Sequence, residues 1–160
     1  KSQMDRIEHL GHKIKLLDQL FKLRMNKNLE KFDITDAQMH VLFYISHHAG
    51  EKVTQKQLAE HLKVKHSTMA GILNRLKEKE LIDIRPDEEN KKYKNITLTP
   101  KACDIQESLS EYRNMTEEVL VEGFTKDEIS NLHNYLNRVY DNLLNNSPIS
   151  ENDIECFRKK

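Results

Sequence analysis

The chain has 160 residues, with 26 Lys and Arg against 26 Asp and Glu, 37% hydrophobic residues, only 6% aromatic residues and no Trp. That length admits one ordinary domain with a helical extension and excludes two large independent domains, while a charged fraction of 32% favours charged-surfaced helices over a β-sandwich. No stretch approaches the roughly 18 apolar residues of a membrane span, and the start lacks the apolar core of a secretory signal, so a cytoplasmic protein with no membrane partner is expected.

Residues 4–29 carry Met4, Ile7, Leu10, Ile14, Leu17, Phe21 and Leu29 mostly at steps of three and four, which predicts one apolar face along a long first helix. Thr35, with Gln38 three residues on, forms a capping box for a second helix that Ala49-Gly50 ends. Thr54 and Gln57 repeat the device and open a short third helix through Leu58, Ala59 and Leu62. After a tight turn, Val64, Met69, Ile72, Leu73 and Leu76 recur at helical spacing, so the third and fourth helices are a helix-turn-helix candidate.

The period then changes to two. Ile82 and Ile84 alternate with Asp83 and Arg85, and Ile96 and Leu98 with Thr97 and Thr99, as in two half-buried strands of a hairpin. The loop between them, residues 86–94, is too polar for a core and is expected to project from the body. Thr99-Pro100 restarts a helix, because Thr caps well and proline's missing N–H is harmless at the first helical position. Ile105, Leu109, Tyr112, Thr116 and Val119 continue its apolar face. A last capping box, Thr125 with Glu128, opens a helix whose Ile129, Leu132, Leu136, Val139 and Leu143 make a narrow stripe suited to helix packing. The tail beyond Asn145 is polar, contains Pro148 and is expected to fray.

This order predicts a mainly α fold with a small β-hairpin wing, a winged helix-turn-helix with flanking N- and C-terminal dimerisation helices. The expected boundaries are 1–34 for the N-terminal dimerisation helix, 35–100 for the winged lobe, 101–146 for the C-terminal dimerisation helices and 147–160 for the polar tail. Both flanks carry apolar stripes that a lobe of this size leaves uncovered, which predicts a homodimer.

The neutral total conceals a segregation of charge. Residues 52–101 hold twelve Lys and Arg against seven Asp and Glu, leaving the flanks with an acidic surplus of the same size. Because salt limits each charge to a range of about 10 Å, a basic middle can still concentrate on a polyanion. With the apolar side of the fourth helix turned inward, Lys65, His66, Ser67, Thr68, Ala70, Gly71, Asn74 and Arg75 face outward. The first turn of such a helix offers N–H groups and hydroxyls to a phosphate, the small residues permit close approach, and Asn74 and Arg75 can donate to base edges. Glycine inside a helix costs about 1 kcal/mol relative to alanine, so Gly71 marks either close approach to DNA or packing on a neighbouring helix. Thr54 and Gln55 at the head of the third helix, and Lys91, Lys92 and Lys94 in the hairpin loop, complete the expected interface with double-stranded DNA.

The segments TDAQMHVLFYI, TQKQLAEHLKVKHSTMAGILNRLKEKELIDI and RPDEENKKYKNITLTPKA make residues 10–144 resemble the MarR family of multiple-antibiotic-resistance regulators. The resemblance implies a recognition helix at residues 65–79, a wing at residues 86–94 and a dimer interface in the first and last two helices. It also implies a transcriptional regulator, a repressor of an inverted-repeat operator, released by a small aromatic effector or by cysteine oxidation. Three positions depart from the family pattern. Glu80 stands where glycine is common, Ala102 replaces another glycine, and Asn90-Lys91-Lys92 replaces an acidic-Arg-Arg wing tip, so bidentate arginine contacts become point charges.

The alternative reading is a winged-helix protein-interaction module without specific DNA binding, against which the basic fourth helix and loop argue. No glycine-rich phosphate loop, nucleophile motif or metal-spaced Cys/His cluster marks an enzyme, and no cofactor is expected. His9 with His12 and the His47-His48 pair lack fixed carboxylate or thiol partners and are read as solvated or hydrogen-bonded side chains. Cys103 and Cys156 are read as reduced thiols, Cys103 being the better candidate for a redox response.

Overall fold

A computed structural model describes residues 3–150 and 153–154, with side chains from residue 9 onward. The side chains of Met4 and Ile7, Cys156 and most of the tail after Ser150 therefore lie outside the described residues. In chain order the elements are α1 (Gln3–Glu30), α2 (Asp36–His47), α3 (Gln55–Leu62), α4 (His66–Glu78), β1 (Ile82–Pro86), β2 (Lys94–Leu98), α5 (Pro100–Leu120) and α6 (Lys126–Asn145). Among the described residues no helix is long and apolar enough to cross a membrane.

Helix starts follow the local chemistry. The hydroxyls of Thr35, Thr54 and Thr125 accept from the backbone N–H three residues on at 3.2, 3.3 and 3.2 Å, and each third residue's side chain accepts the threonine's own N–H at 3.2, 2.9 and 2.8 Å. These capping boxes satisfy donors that a helix start leaves open. At α5 the Thr99 hydroxyl accepts from Ala102 N–H at 3.3 Å and donates to the Glu80 carbonyl at 2.7 Å.

Helix ends are less ordinary. Asp33, Lys63 and Glu80 all adopt left-handed backbone, with φ of 53°, 53° and 58°. Behind each, a paired bond closes the helix: Ile34 N–H to Leu29 O at 3.2 Å, Val64 N–H to Ala59 O at 3.1 Å and Leu81 N–H to Leu76 O at 3.0 Å. This is the Schellman arrangement, here built without glycine at α1, α3 and α4.

The chain divides into two compact units, Lys1–Asn114 and Met115–Lys160, with the boundary inside α5. The first holds the core, in which Val41, Leu42, Leu58, Met69, Leu76 and Leu81 are fully buried beside Ile82, Ile96, Ala102 and Leu109. Tyr112 and Arg113 fasten α5 within this unit: the Tyr112 hydroxyl donates to Arg24 O at 3.3 Å, and the Arg113 guanidinium lies 4.9 Å from the Phe43 ring centre. The antiparallel hairpin pairs Ile82 with Leu98 and Ile84 with Ile96, which turns the isoleucines toward the core and Asp83 and Thr97 away. The loop proves shorter than expected, because Pro86 and Lys94 form the last rung of the ladder and only residues 87–93 connect the strands.

α1 exposes Leu10, Leu16, Leu17, Leu20 and Leu23 along with half-exposed Ile14 and Phe21. In the second unit, α6 buries none of its residues and exposes Tyr135, Leu136, Tyr140 and Leu143. The tail does not fray immediately after Asn145. Ser150 and Asp153 exchange hydrogen bonds, with Ser150 N–H to Asp153 Oδ2 at 2.9 Å and Asp153 N–H to Ser150 Oγ at 3.3 Å, and Ile154 is buried.

Candidate nucleic-acid interface

α3 is short because Lys63 turns left-handed directly after it, and its two-helix corner with α4 follows from that turn. Met69, Leu73 and Leu76 seat α4 in the core, while Ile72 is half-buried. The opposite face carries His66, Ser67, Thr68, Gly71, Asn74 and Arg75 exposed, with Ala70 half-buried between them. The expected outward set thus lies on one surface of one helix.

Two features of that surface suit a polyanion. Lys65 is the N-cap of α4, yet its side chain makes no capping bond, so the first-turn amides are left to solvent or to a phosphate at the positive end of the helix dipole. A Cβ built at Gly71 would meet nothing within 4 Å. Packing within this chain therefore does not require the glycine, and the space above it is open to another molecule.

Thr54 and Gln55 serve the frame of the motif. The Thr54 hydroxyl is occupied in the α3 capping box, and Gln55 Nε2 donates to the His66 carbonyl at 3.1 Å, tying the head of α3 to the head of α4.

Lys91 and Lys92 project from the connecting loop, Lys94 begins β2 with its side chain exposed, and Tyr93 between them is 57% exposed. The loop is folded on itself: Asp87 N–H donates to Tyr93 O at 2.8 Å, Asp87 Oδ1 accepts Glu89 N–H at 2.9 Å and Asn90 Oδ1 accepts Lys92 N–H at 3.2 Å. It is also braced from outside. Lys52 Nζ meets Glu89 Oε2 at 2.7 Å and Asp87 Oδ2 at 3.1 Å, Val53 N–H donates to Asn95 Oδ1 at 3.1 Å and Ile96 N–H to Val53 O at 3.0 Å. Hydrogen bonds to Glu89 and then Asp87 hold the Lys52 ammonium above its ordinary pKa. The Glu89 backbone N–H, and then Lys52, hold the Asp87 carboxyl below its ordinary value. Sequence reasoning missed Lys52, Asp87 and Tyr93, because contacts between a pre-helix loop and a hairpin tip leave no periodic signal.

The histidine pairs have local explanations. His47 and His48 place Nδ1 at 2.8 Å from the carbonyls of Phe43 and Tyr44, and His48 stacks on Tyr44 at 4.0 Å. His9 and His12 are exposed on α1. Cys103 is an exposed free thiol in the first turns of α5.

A family model described as MarR family matches residues 32–92, which spans α2 through most of the wing. The chain is 30% identical over 139 residues, 87% of this chain and 89% of its relative, to the uncharacterized HTH-type transcriptional regulator YybA of Bacillus subtilis. Among solved structures it is similar to MepR, a transcription regulator of the Staphylococcus aureus multidrug efflux pump MepA, with 26% identity and a TM-score of 0.77 over 83% of this chain and 97% of that one. MepR has been solved in a complex with DNA, with a TM-score of 0.75 to this chain, and bound to ethidium bromide. YusO of Bacillus subtilis shares the fold at 20% identity, with a TM-score of 0.77 over 88% of this chain and 99% of that one.

Proposed function

The chain belongs to the MarR family, whose relatives here are helix-turn-helix transcriptional regulators, and from that membership we propose that it is a homodimeric, DNA-binding repressor of an inverted-repeat operator. The observation that carries the reading is the outward face of α4. An uncapped helix start, a glycine with open space above it, and Asn74 and Arg75 one turn further on form a surface that fits a major groove. Lys91, Lys92 and Lys94 supply phosphate contacts at the flank. The protein acts by binding rather than by catalysis, in the cytoplasm where such operators lie.

Apolar surface supports the homodimer: leucines are exposed along α1, and α6 exposes Tyr135, Leu136, Tyr140 and Leu143, surface of a kind that monomers rarely leave in water and that a second copy can cover. In this reading residues 1–34 and 101–146 dimerise and residues 35–100 read DNA. MepR binds the flat aromatic cation ethidium, which supports a small aromatic molecule as the releasing signal, and oxidation at the exposed Cys103 is the redox alternative.

Selection of duplexes from a random library, followed by gel shifts over a salt series, tests the assignment. The expected result is an enriched inverted repeat bound with an affinity that falls steeply with salt, about 0.9 in log slope per phosphate contacted. Recovery of no preferred sequence together with salt-independent binding overturns it.

A further inference from the structure

We infer that Lys79 is a positioning residue for operator recognition, a clasp that fixes the tilt of α4 by joining its last turn to the corner between α1 and α2. This rests on the proposal that α4 reads DNA.

Lys79 is the C-cap of α4. Its ammonium donates to the carbonyl of Asp33, lies 3.1 Å from Gln38 Oε1 and sits 3.6 Å from Asp33 Oδ2. These partners are structural anchors. Asp33 is the left-handed residue that closes α1, and Gln38 is 2% exposed and already accepts Thr35 N–H at 3.2 Å in the box that opens α2. One amide oxygen therefore joins the start of α2 to the end of the recognition helix.

The same half-turn is held from the other side. The Lys79 carbonyl accepts from Lys101 Nζ at 3.0 Å and the Glu80 carbonyl from the Thr99 hydroxyl at 2.7 Å, both from the head of α5. At the far end of α4, Gln55 holds the His66 carbonyl. A helix of 13 residues is about 20 Å long, so loss of one end tie allows a small tilt that shifts the outward side chains while Met69, Leu73 and Leu76 remain buried. Base-edge hydrogen bonds have narrow distance and angle ranges, whereas phosphate attraction tolerates small shifts. Loosening the clasp should therefore reduce sequence discrimination and spare general affinity.

The experiment uses the full chain and compares wild type with Lys79→Met, Lys79→Arg and Lys101→Met. Operator and random-duplex affinities are measured over a salt series, with thermal melts to establish that each variant is folded at the assay temperature. Lys79→Met should lose up to about tenfold in operator affinity, the limit reached if the whole of one charged hydrogen bond goes to holding the DNA-reading position, with random-duplex affinity and salt slope unchanged. Lys79→Arg, which keeps a cationic donor, should recover most of that loss. Lys101→Met, which removes an exposed side chain, should show the same pattern more weakly and keeps the test open if Lys79→Met fails to fold. Equal losses on both duplexes with a salt slope reduced by about 1 make Lys79 a phosphate contact and overturn the clasp. Unchanged operator affinity in folded Lys79→Met, or in Lys101→Met when Lys79→Met fails to fold, overturns it as well. If wild type itself fails to distinguish operator from random duplex, the DNA-reading assignment of α4 falls first.

Discussion

Lys52 and Glu89, 37 positions apart in the chain, meet at 2.7 Å, and Asp87 joins them at 3.1 Å, so the acidic half of a basic wing is held against the loop that leads into α3. The pairing turns the charge of Asp87 and Glu89 toward Lys52, in a loop whose Lys91 and Lys92 stay exposed. Together with the Glu89 N–H bond to Asp87, it gives the wing a pH dependence. The Asp87 carboxyl is held below its ordinary value of 3.8, so its contribution is present above that value and fades as pH falls through the lower folded one. The Lys52 ammonium is held above 10.5, so its share is intact below that value and is lost only as pH rises through the higher folded one. Protection of the Asp87 amide, bonded to Tyr93 O at 2.8 Å, should be constant near neutrality and decline in acid below about pH 4. Lys52→Ala should lower that protection part-way toward its acid value already at pH 7, because the Glu89 N–H bond to Asp87 remains. Identical protection in the variant and wild type would show that Lys52 does not brace the wing.

Glu80 invites a stability test. It takes φ of 58° with its side chain exposed, and its N–H closes α4 onto Lys77 O at 2.9 Å. A non-glycine residue pays for that conformation in steric crowding, so Glu80→Gly should raise stability by about 0.5–1 kcal/mol and the melting midpoint by about 1–4 °C. Gly50→Ala, at φ of +85°, should move the midpoint the other way. A melt of each variant decides it, and a lower midpoint for Glu80→Gly counts against strain at this position.

The same position shows where sequence reading reaches its limit. The capping boxes at Thr35, Thr54 and Thr125 were legible because each lies within one helical turn and its chemistry is fixed by residue type. The period change at Ile82 and the outward set on α4 were legible for the same reason. Left-handed closures at Asp33, Lys63 and Glu80 were not, since they rest on backbone bonds that any residue type can make, and lysine and glutamate have little preference for that conformation. The Lys52 brace and the Lys79 clasp join segments far apart in the chain, and long-range pairs leave no pattern in a single sequence. The wing ladder through Pro86 and Lys94 was hidden too, because proline and a charged run both read as loop.

Gly71 should separate stability from function. With nothing within 4 Å of a built Cβ, Gly71→Ala fits the helix and should stabilise the protein by about 0.5–1 kcal/mol. Gly71→Leu should be tolerated in the fold for the same reason, yet hold the α4 backbone off a groove and reduce operator affinity at least tenfold. A Gly71→Leu variant that melts higher and binds as well as wild type shows that nothing approaches this face.

Leu17 and Leu20 are 57% and 64% exposed on α1, so charge at either should be nearly neutral for an isolated chain. In a dimer that buries them, Leu17→Glu with Leu20→Glu places two unpaired carboxylates in each half of an apolar interface. Sedimentation at micromolar concentration should find wild type dimeric and the double variant monomeric or aggregating. A dimer that survives the double variant places its interface elsewhere.

Recognition and positioning should fail in different ways. In a two-fold dimer the α4 helices enter successive major grooves, so the preferred site is an inverted repeat with half-sites about 10 bp apart. Lys91 and Lys92 stand exposed on the loop, and the phosphates we propose as their partners carry no sequence information. Replacing both with alanine should lower affinity for operator and random duplex alike and reduce the salt slope by about 1 for each phosphate no longer neutralised. Asn74 stands on the exposed face of α4, one turn beyond Gly71, where a carboxamide can donate to and accept from one base edge. Asn74→Ala should therefore cost about 1–3 kcal/mol on the operator and leave random-duplex affinity and salt slope nearly unchanged. Affinities for both duplexes over a salt series, measured for each variant, separate the two modes. If the lysine variant loses discrimination while Asn74→Ala loses only general affinity, readout belongs to the wing and α4 is the element that positions it.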